Sequence, residues 1–255
     1  MVTDDSLPAM LRRYLAEFLG TFALVFFGCG TRDMVGDTTN FAGIFVVHAA
    51  FAFTVALMIY SVGYLSSAHF NPAISVGLAI TRRFPWRFVL PYWLAQFAGA
   101  ILAVTIHFIV MPDKASAAHF GATIPKISVL PAILIEIILT FFLMFATMAA
   151  ATDKRFKRAD SGLTIAFTIL VCGLMANSLS GASMNPARSL APALFAGGDA
   201  LSSLWIFFVG PLIGAILGGL VYEATRGSQQ YAKGALEDLP VTIETKGAKE
   251  EEQKP

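Results

Sequence analysis

Asn71-Pro72-Ala73 and Asn185-Pro186-Ala187 are two copies of one tripeptide, each set in apolar sequence and each followed by a short helix-compatible run. Asparagine is a favoured N-cap, because its side-chain oxygen accepts hydrogen bonds from the first free amides of a helix, and proline suits the first helical position. Each copy therefore predicts the start of a helix. A helix that starts within strongly apolar sequence leaves unpaired backbone groups, which a bilayer tolerates only where they line a polar cavity.

The composition predicts an integral membrane protein. Of the 255 residues, 56% are hydrophobic and 14% are charged, and the mean hydropathy is +0.68. Runs of about 20 apolar residues are long enough to cross the hydrocarbon core as helices. Six such spans are predicted: Tyr14–Gly30, Ala42–Val62, Phe88–Val110, Val129–Ala151, Leu163–Leu179 and Ser203–Ala224. The sequence thus predicts an all-α membrane protein.

Basic residues predict the orientation of the spans, since Lys and Arg near span ends favour the cytoplasmic side. If both termini are inside, most of the basic residues near span ends are cytoplasmic: Arg12, Arg13, Arg82, Arg83, Arg87, Lys154, Arg155, Lys157, Arg158 and Arg226. On the other side lie Arg32, Lys114, Lys126 and Arg188. We therefore expect the chain in the cell membrane, inner or plasma, with cytoplasmic termini. The net charge of +1 gives no indication of nucleic-acid binding.

The two halves of the chain, about residues 11–110 and 129–225, resemble each other. Glu17–Phe26 and Glu136–Phe145 share Glu, Thr, Phe, Leu and Phe in register. Each half contains three spans, and because three is odd the second copy is expected to lie inverted in the bilayer. Inverted repeats of this kind place their sites near the midplane.

The segments around the tripeptides predict re-entrant half-helices. As a helix, Asn71–Thr81 is about 15 Å long, which is half of a hydrocarbon core of about 30 Å. The preceding Gly63–Phe70 stretch can descend extended to that depth, and in the second half Ser180–Met184 descends and Asn185–Phe195 returns. We expect six transmembrane helices and two half-helices that meet tip to tip, whose converging positive dipole ends repel cations and protons.

Three motifs give the chain a resemblance to the aquaporin family, also called the major intrinsic proteins: Ala16-Glu17-Phe18-Leu19-Gly20-Thr21, Ser67-Ala68-His69-Phe70-Asn71-Pro72-Ala73 and Ser180-Gly181-Ala182-Ser183-Met184-Asn185-Pro186-Ala187-Arg188-Ser189. The resemblance covers roughly residues 11–225, which we expect to form the channel domain. Residues 1–10 are expected to form a cytoplasmic segment. Residues 226–255 alternate Lys and Glu with little apolar content, which predicts a disordered cytoplasmic tail.

The resemblance implies roles for residues at matching positions. Asn71 and Asn185 would donate amide hydrogens to the permeating molecule at the midplane, and Glu17 and Glu136 match buried glutamates that hold the two loops. A proton relay is the alternative for these acids, but a pore that excludes protons disfavours it. Loop carbonyls would line the two half-pores as acceptors: Ser67, Ala68, His69, Phe70, Gly181, Ala182, Ser183 and Met184. The family fold also implies a homotetramer with one pore per subunit, and no cofactor or metal is expected.

Arg188 breaks the repeat, since Ile74 occupies the equivalent position in the first half. A cation in the first turn of a helix opposes the helix dipole, and within a bilayer it also costs desolvation. By resemblance Arg188 belongs to an aromatic and arginine selectivity filter, whose other positions are occupied here by Phe51, Gly173 and Ala182.

The small residues Gly173 and Ala182 predict a wide filter. Family members that select for water usually carry histidine at the position of Gly173, and a wider filter suits neutral polyhydroxylated solutes. Glycerol facilitators of the family normally carry Asp directly after the arginine, where Ser189 stands here. The stretch Ser180–Leu190 most resembles the nodulin-like intrinsic proteins of plants and their bacterial relatives. That resemblance implies a passive channel for water, glycerol and neutral metalloid acids such as arsenous or boric acid.

Other functions stay open as alternatives. A water-selective pore would require a bulky side chain near Gly173, such as Phe51. A structural junction protein with a closed pore shares this fold. A secondary transporter needs coupled ion sites, and apart from Glu17 and Glu136 the predicted spans offer no acidic pair.

The remaining reactive residue types give no indication of catalysis or metal binding. His48, His107 and His119 make no ligand spacing with one another or with a carboxylate. Cys29 and Cys172 lie in or near apolar spans, which predicts packing and neither a disulfide nor a metal site.

Overall fold

A computed structural model describes residues 6–36, 38–153 and 160–226. The predicted segment 1–10 and tail 226–255 lie outside these ranges, apart from residues 6–10 and Arg226. Within the ranges ten α-helices follow one another: α1 (Leu7–Val35), α2 (Phe41–Ser66), α3 (Pro72–Ile80), α4 (Val89–Val110), α5 (Pro112–Ala117), α6 (Val129–Thr147), α7 (Ser161–Ala176), α8 (Pro186–Ala196), α9 (Gly198–Ser202) and α10 (Ile206–Thr225). Short 3₁₀ turns cover Trp86–Phe88 and His119–Gly121, and α6 continues into a π-helical turn at Met148–Thr152.

Six of these helices match the six predicted spans. The helices α1, α2, α4, α6 and α10 are long and apolar enough to cross a membrane. Helix α7 is also apolar but has 16 residues, about 24 Å. It ends early because the amides of Leu179, Ser180 and Gly181 all bond to the carbonyl of Ala176, which turns the chain into the following loop. The predicted all-α membrane fold is confirmed.

The short helices α3 and α8 begin directly after the asparagines of the two tripeptides. The side-chain oxygen of Asn71 accepts a hydrogen bond from the Ala73 amide at 2.9 Å, and that of Asn185 accepts one from the Ala187 amide at 2.9 Å. Proline occupies the first turn of both helices. The predicted N-caps are therefore confirmed, and each helix ends within one residue of its predicted end.

Glycines bring the long helices of each half into close contact at equivalent positions. A Cβ atom on Gly99 of α4 would lie 2.3 Å from the carbonyl oxygen of Phe18 in α1. A Cβ atom on Gly214 of α10 would lie 2.3 Å from the carbonyl oxygen of Ile137 in α6. Since neither glycine leaves room for a methyl group, α1 packs on α4 as α6 packs on α10. The inverted repeat predicted from the sequence therefore reappears in the packing.

Gly214→Ala is expected to destabilise the protein by about 1–3 kcal/mol, because the added methyl group forces α6 and α10 apart. Thermal unfolding of the detergent-solubilised protein measures the effect. Leu217→Ala on the same helix is the matched control, since the Leu217 side chain is 44% exposed on the outer surface. Equal melting temperatures for Gly214→Ala and the wild type would show that the close approach is dispensable.

The outer surface of the helices is apolar, as a bilayer-embedded protein requires. Phe53 and Phe167, which stand at the same distance before the two tripeptides, are 55% and 57% exposed, and Leu130 is 77% exposed. Large contiguous apolar surfaces are rare on soluble monomers. Together with the six apolar helices, this surface describes a multi-pass membrane protein.

Candidate functional site

The loops that precede α3 and α8 bind each other at the centre of the molecule. Asn71 donates through Nδ2 to the carbonyl oxygen of Met184 at 2.8 Å, and Asn185 donates through Nδ2 to the carbonyl oxygen of Phe70 at 2.9 Å. Each asparagine therefore caps its own helix through Oδ1 and holds the opposite loop through one amide hydrogen. Each side-chain amide carries a second hydrogen, which neither of these two bonds uses. The carbonyls of Phe70 and Met184, expected to serve the permeating molecule, are each partly occupied by these bonds.

Both loops adopt left-handed backbone conformations at equivalent positions. The positive φ angles lie at Ser67, Ala68 and Phe70 in the first loop and at Gly181, Ala182 and Met184 in the second. For a residue other than glycine such a conformation is costly and persists only where the surroundings enforce it. Two buried carboxylates supply that enforcement.

Glu17 accepts four hydrogen bonds, three of which come from residues 66–70 and hold the first loop. Its carboxylate accepts from the hydroxyl of Ser66 at 2.7 Å and from the amides of His69 at 2.9 Å and Phe70 at 2.7 Å. The side-chain amide of Gln96 donates the fourth bond at 2.7 Å. The loop amides thus point away from the cavity, into the protein.

Glu136 holds the second loop in the same way. Its carboxylate accepts from the hydroxyl of Ser180 at 2.6 Å and from the amides of Ser183 at 2.9 Å and Met184 at 2.8 Å. Both glutamates are fully buried, with 0% exposure. The two acids therefore make the same kind of contacts to equivalent positions of the two loops.

Some supporting residues escaped the sequence-based prediction. Ser66 and Ser180 stand five residues before their respective asparagines, and that equal spacing was the available signal. Gln96 has no equivalent in the second half. The repeat places Pro211 at that position, and proline lacks a side-chain donor. The two loops are therefore held by similar but unequal sets of bonds.

A cavity of about 60 Å³ runs along the two loops. A single water needs about 10–15 Å³, so the cavity has room for a few waters or one small solute. One wall consists of loop residues: Ala68, His69, Phe70, Asn71, Ala182, Ser183, Met184 and Asn185. The other wall is mainly apolar and comes from the helices: Leu24, Phe51, Val55, Ile74, Leu143, Thr147, Ile165, Ile169 and Arg188. Of the predicted carbonyl residues described here, Ser67 and Gly181 lie outside this lining.

Arg188 lies in the first turn of α8 and is 3% exposed. It donates through Nη1 to the carbonyl oxygen of Gly121 at 2.9 Å, and its Cζ lies 5.0 Å from the centre of the Phe51 ring. A guanidinium over an aromatic face is attracted by the ring quadrupole, and arginine stays charged in proteins. The structure thus brings Phe51, Ala182 and Arg188 together around one cavity.

The expectation that Gly173 leaves open space in the pore is wrong. A Cβ atom on Gly173 would lie 2.1 Å from Nδ1 of His48, so an imidazole already occupies the space that the glycine leaves. Among the described residues that line the cavity, Gly173 is absent. His48 comes from α2, and no spacing rule connects it with Gly173 in the sequence.

Known proteins share this architecture. The family model of the major intrinsic proteins matches residues 5–222. The chain is 43% identical to the putative aquaporin NIP4-1 of Arabidopsis thaliana over 230 residues, which cover 88% of this chain and 78% of the relative. It is 40% identical to aquaporin NIP1-1 of Oryza sativa subsp. japonica over 219 residues, which cover 85% of this chain and 75% of the relative.

Among solved structures, the X-ray structure of the aquaglyceroporin from Plasmodium falciparum aligns with a TM-score of 0.75 at 25% identity. The alignment covers 85% of this chain and 96% of that one. The protein therefore belongs to the major intrinsic proteins, the aquaporin family, whose members are membrane channels and not enzymes.

Proposed function

We propose that the channel passively conducts water and small uncharged solutes, including glycerol and neutral metalloid acids such as arsenous or boric acid. The observation that carries the proposal is the two-sided cavity. Its loop wall offers carbonyl acceptors and the amides of Asn71 and Asn185, and its helical wall is mainly aliphatic. A neutral polyol can turn its hydroxyls to the first wall and its carbon chain to the second. The similarity to an aquaglyceroporin and to NIP-type aquaporins supports this range of solutes.

Exclusion of charged species follows from the same geometry. The N-termini of α3 and α8 converge on the cavity, each carrying about half a positive charge, and the guanidinium of Arg188 adds a full one. Asn71 and Asn185 present hydrogen-bond donors, so a water bound to both accepts from them and turns its own hydrogens outward. Protons cannot pass along a water chain whose orientation reverses in the middle.

Vesicles reconstituted with the full chain are expected to take up water, glycerol and arsenous acid faster than empty vesicles. Stopped-flow light scattering on one preparation measures all three fluxes. Uptake is expected to be the same with and without a sodium or proton gradient, since the proposed pore is passive. Water flux equal to that of empty vesicles would indicate a closed junction protein, and dependence on an ion gradient would indicate a transporter.

A water-selective pore is the second candidate, and one observation favours it. The imidazole of His48 fills the space beside Gly173, where the sequence predicted a wide opening. In a water-selective pore only water flux rises, while glycerol and arsenous acid enter no faster than into empty vesicles. The same light-scattering series therefore separates the two candidates.

We also propose that the channel is a homotetramer in the cell membrane with both termini in the cytoplasm. The exposed apolar side chains on the outer helix faces are suited to lipid and to neighbouring subunits. Arg83 donates through Nε to Glu223 at 2.7 Å, which joins the end of α3 to the end of α10 on the side predicted to be cytoplasmic. The basic residues near the span ends support that orientation.

A further inference from the structure

The cavity wall can be followed one helical turn further on two neighbouring helices. On α7, Ile165 and Ile169 line the cavity, and Gly173 continues the same face because residues four apart are neighbours on a helix. On α2, Phe51 lines the cavity and His48, three residues earlier, continues its face. One turn beyond the cavity lining, α7 therefore has a glycine without a side chain, and α2 has the imidazole of His48.

The imidazole of His48 stands where Gly173 would carry its side chain. A Cβ atom built on Gly173 would lie 2.1 Å from Nδ1 and 2.2 Å from Cγ of His48. The centre of the imidazole lies 6.1 Å from that of the Phe51 ring, and His48 is only 2% exposed. The ring is thus buried beside Phe51, which lines the cavity, whereas His48 itself is not among the described residues of that lining.

Asn177 fixes the imidazole and its tautomer. Nε2 of His48 lies 3.1 Å from Oδ1 of Asn177, and Nδ2 of Asn177 donates to the carbonyl oxygen of Thr38 at 3.2 Å. Since the amide nitrogen of Asn177 must be the donor to a carbonyl, its oxygen faces His48 as an acceptor. This network assigns the hydrogen of the neutral imidazole to Nε2 and leaves Nδ1, on the side of Gly173, as an acceptor.

We propose that His48 determines the solute specificity of the pore. Its imidazole, supplied by α2, takes the place of the side chain that Gly173 lacks on α7, and it limits the size of the solute that passes. The inference rests on the channel function proposed above and adds the residue that sets the width. It also explains why a glycine at this position does not by itself widen the filter.

His48→Ala in reconstituted vesicles is expected to raise the glycerol permeability relative to water about tenfold, the scale on which one missing group changes discrimination in a pocket. Erythritol, a larger polyol, is expected to enter the variant vesicles faster than wild-type ones. His119→Ala is the matched control, because His119 is an exposed histidine outside the pore, and it should leave the glycerol-to-water ratio unchanged. A ratio is measured because a purely structural defect lowers both fluxes together.

The double variant His48→Ala/Gly173→His returns an imidazole to the same place from the other helix. It is expected to restore the wild-type ratio, whereas Gly173→His alone adds a second ring to an occupied site and should reduce all fluxes. An unchanged ratio in a monodisperse, water-conducting His48→Ala variant overturns the proposal, and so does a parallel loss of all fluxes. If His48→Ala does not assemble, the ratio in the double variant and in His48→Asn decides. Wild-type vesicles that conduct no faster than empty ones would refute the channel function itself.

Discussion

Glu136→Ala is expected to abolish the ordered second loop and, with it, solute flux. The substitution leaves the amides of Ser183 and Met184 and the hydroxyl of Ser180 without their acceptor in a fully buried site. Each unsatisfied buried group costs about 1–3 kcal/mol, which together is a large share of a native stability of about 5–15 kcal/mol. Thermal unfolding in detergent and water flux in vesicles measure the two consequences.

Two further variants calibrate this prediction. Glu136→Gln keeps one acceptor oxygen but places an amide donor against a backbone amide, so it should be destabilising by less than the alanine variant. Asp199→Ala removes an exposed acid and is expected to shift stability by less than about 0.5 kcal/mol. If Glu136→Ala unfolds at the wild-type temperature and conducts water normally, the carboxylate is not what holds the loop.

Glu17 provides a comparison within the same molecule. Its carboxylate carries a fourth donor, Gln96, which Glu136 lacks, so Glu17→Ala orphans one more buried group. The role of both glutamates was implied by the family resemblance, and the two residues also stand in register within the repeat. Gln96 was not predictable in this role, since its partner lies on another helix and the repeat has Pro211 at its equivalent position.

The fold was predictable because its main signals are local. An asparagine followed by proline caps a helix through bonds to residues two or three positions away, and the structure shows those bonds at Asn71 and Asn185. The lengths of apolar runs likewise depend on consecutive residues. These signals placed the half-helices to within one residue and all six spans to within several.

The width of the pore was not predictable because it depends on contacts between distant segments. A glycine in a sequence indicates a missing side chain, but the space at Gly173 is filled by His48 from another helix. In the same way, the ring of Phe51 lies where a side chain on Gly28 of α1 would stand, since a Cβ there would be 2.1 Å from the ring. Which neighbour fills a notch is decided by packing, and no local pattern encodes it.

Arg188→Ala is expected to let monovalent cations leak through the pore. A cation about 5 Å from the guanidinium is repelled by about 3 kcal/mol at an effective dielectric constant of 20, so removing the charge should raise cation flux roughly a hundredfold.

Arg188→Lys keeps the charge and should still exclude cations. A lysine ammonium lacks the planar fork of arginine. It can reach the Gly121 carbonyl or cover the Phe51 ring, but it is not expected to make both contacts at once. Glycerol uptake should therefore change. Potassium flux in vesicles and glycerol light scattering measure the two effects separately.

Ile74→Ala is the control that the inverted repeat supplies for Arg188→Ala. Ile74 occupies the equivalent position on α3 and also lines the cavity, but it carries no charge. Its truncation is expected to enlarge the cavity without a cation leak, so a leak confined to Arg188→Ala assigns exclusion to the charge and not to the width. The helix dipoles and both asparagine amides remain in Arg188→Ala. If Arg188→Ala excludes potassium as the wild type does, the converging half-helices alone exclude cations, and Arg188 acts on solute recognition.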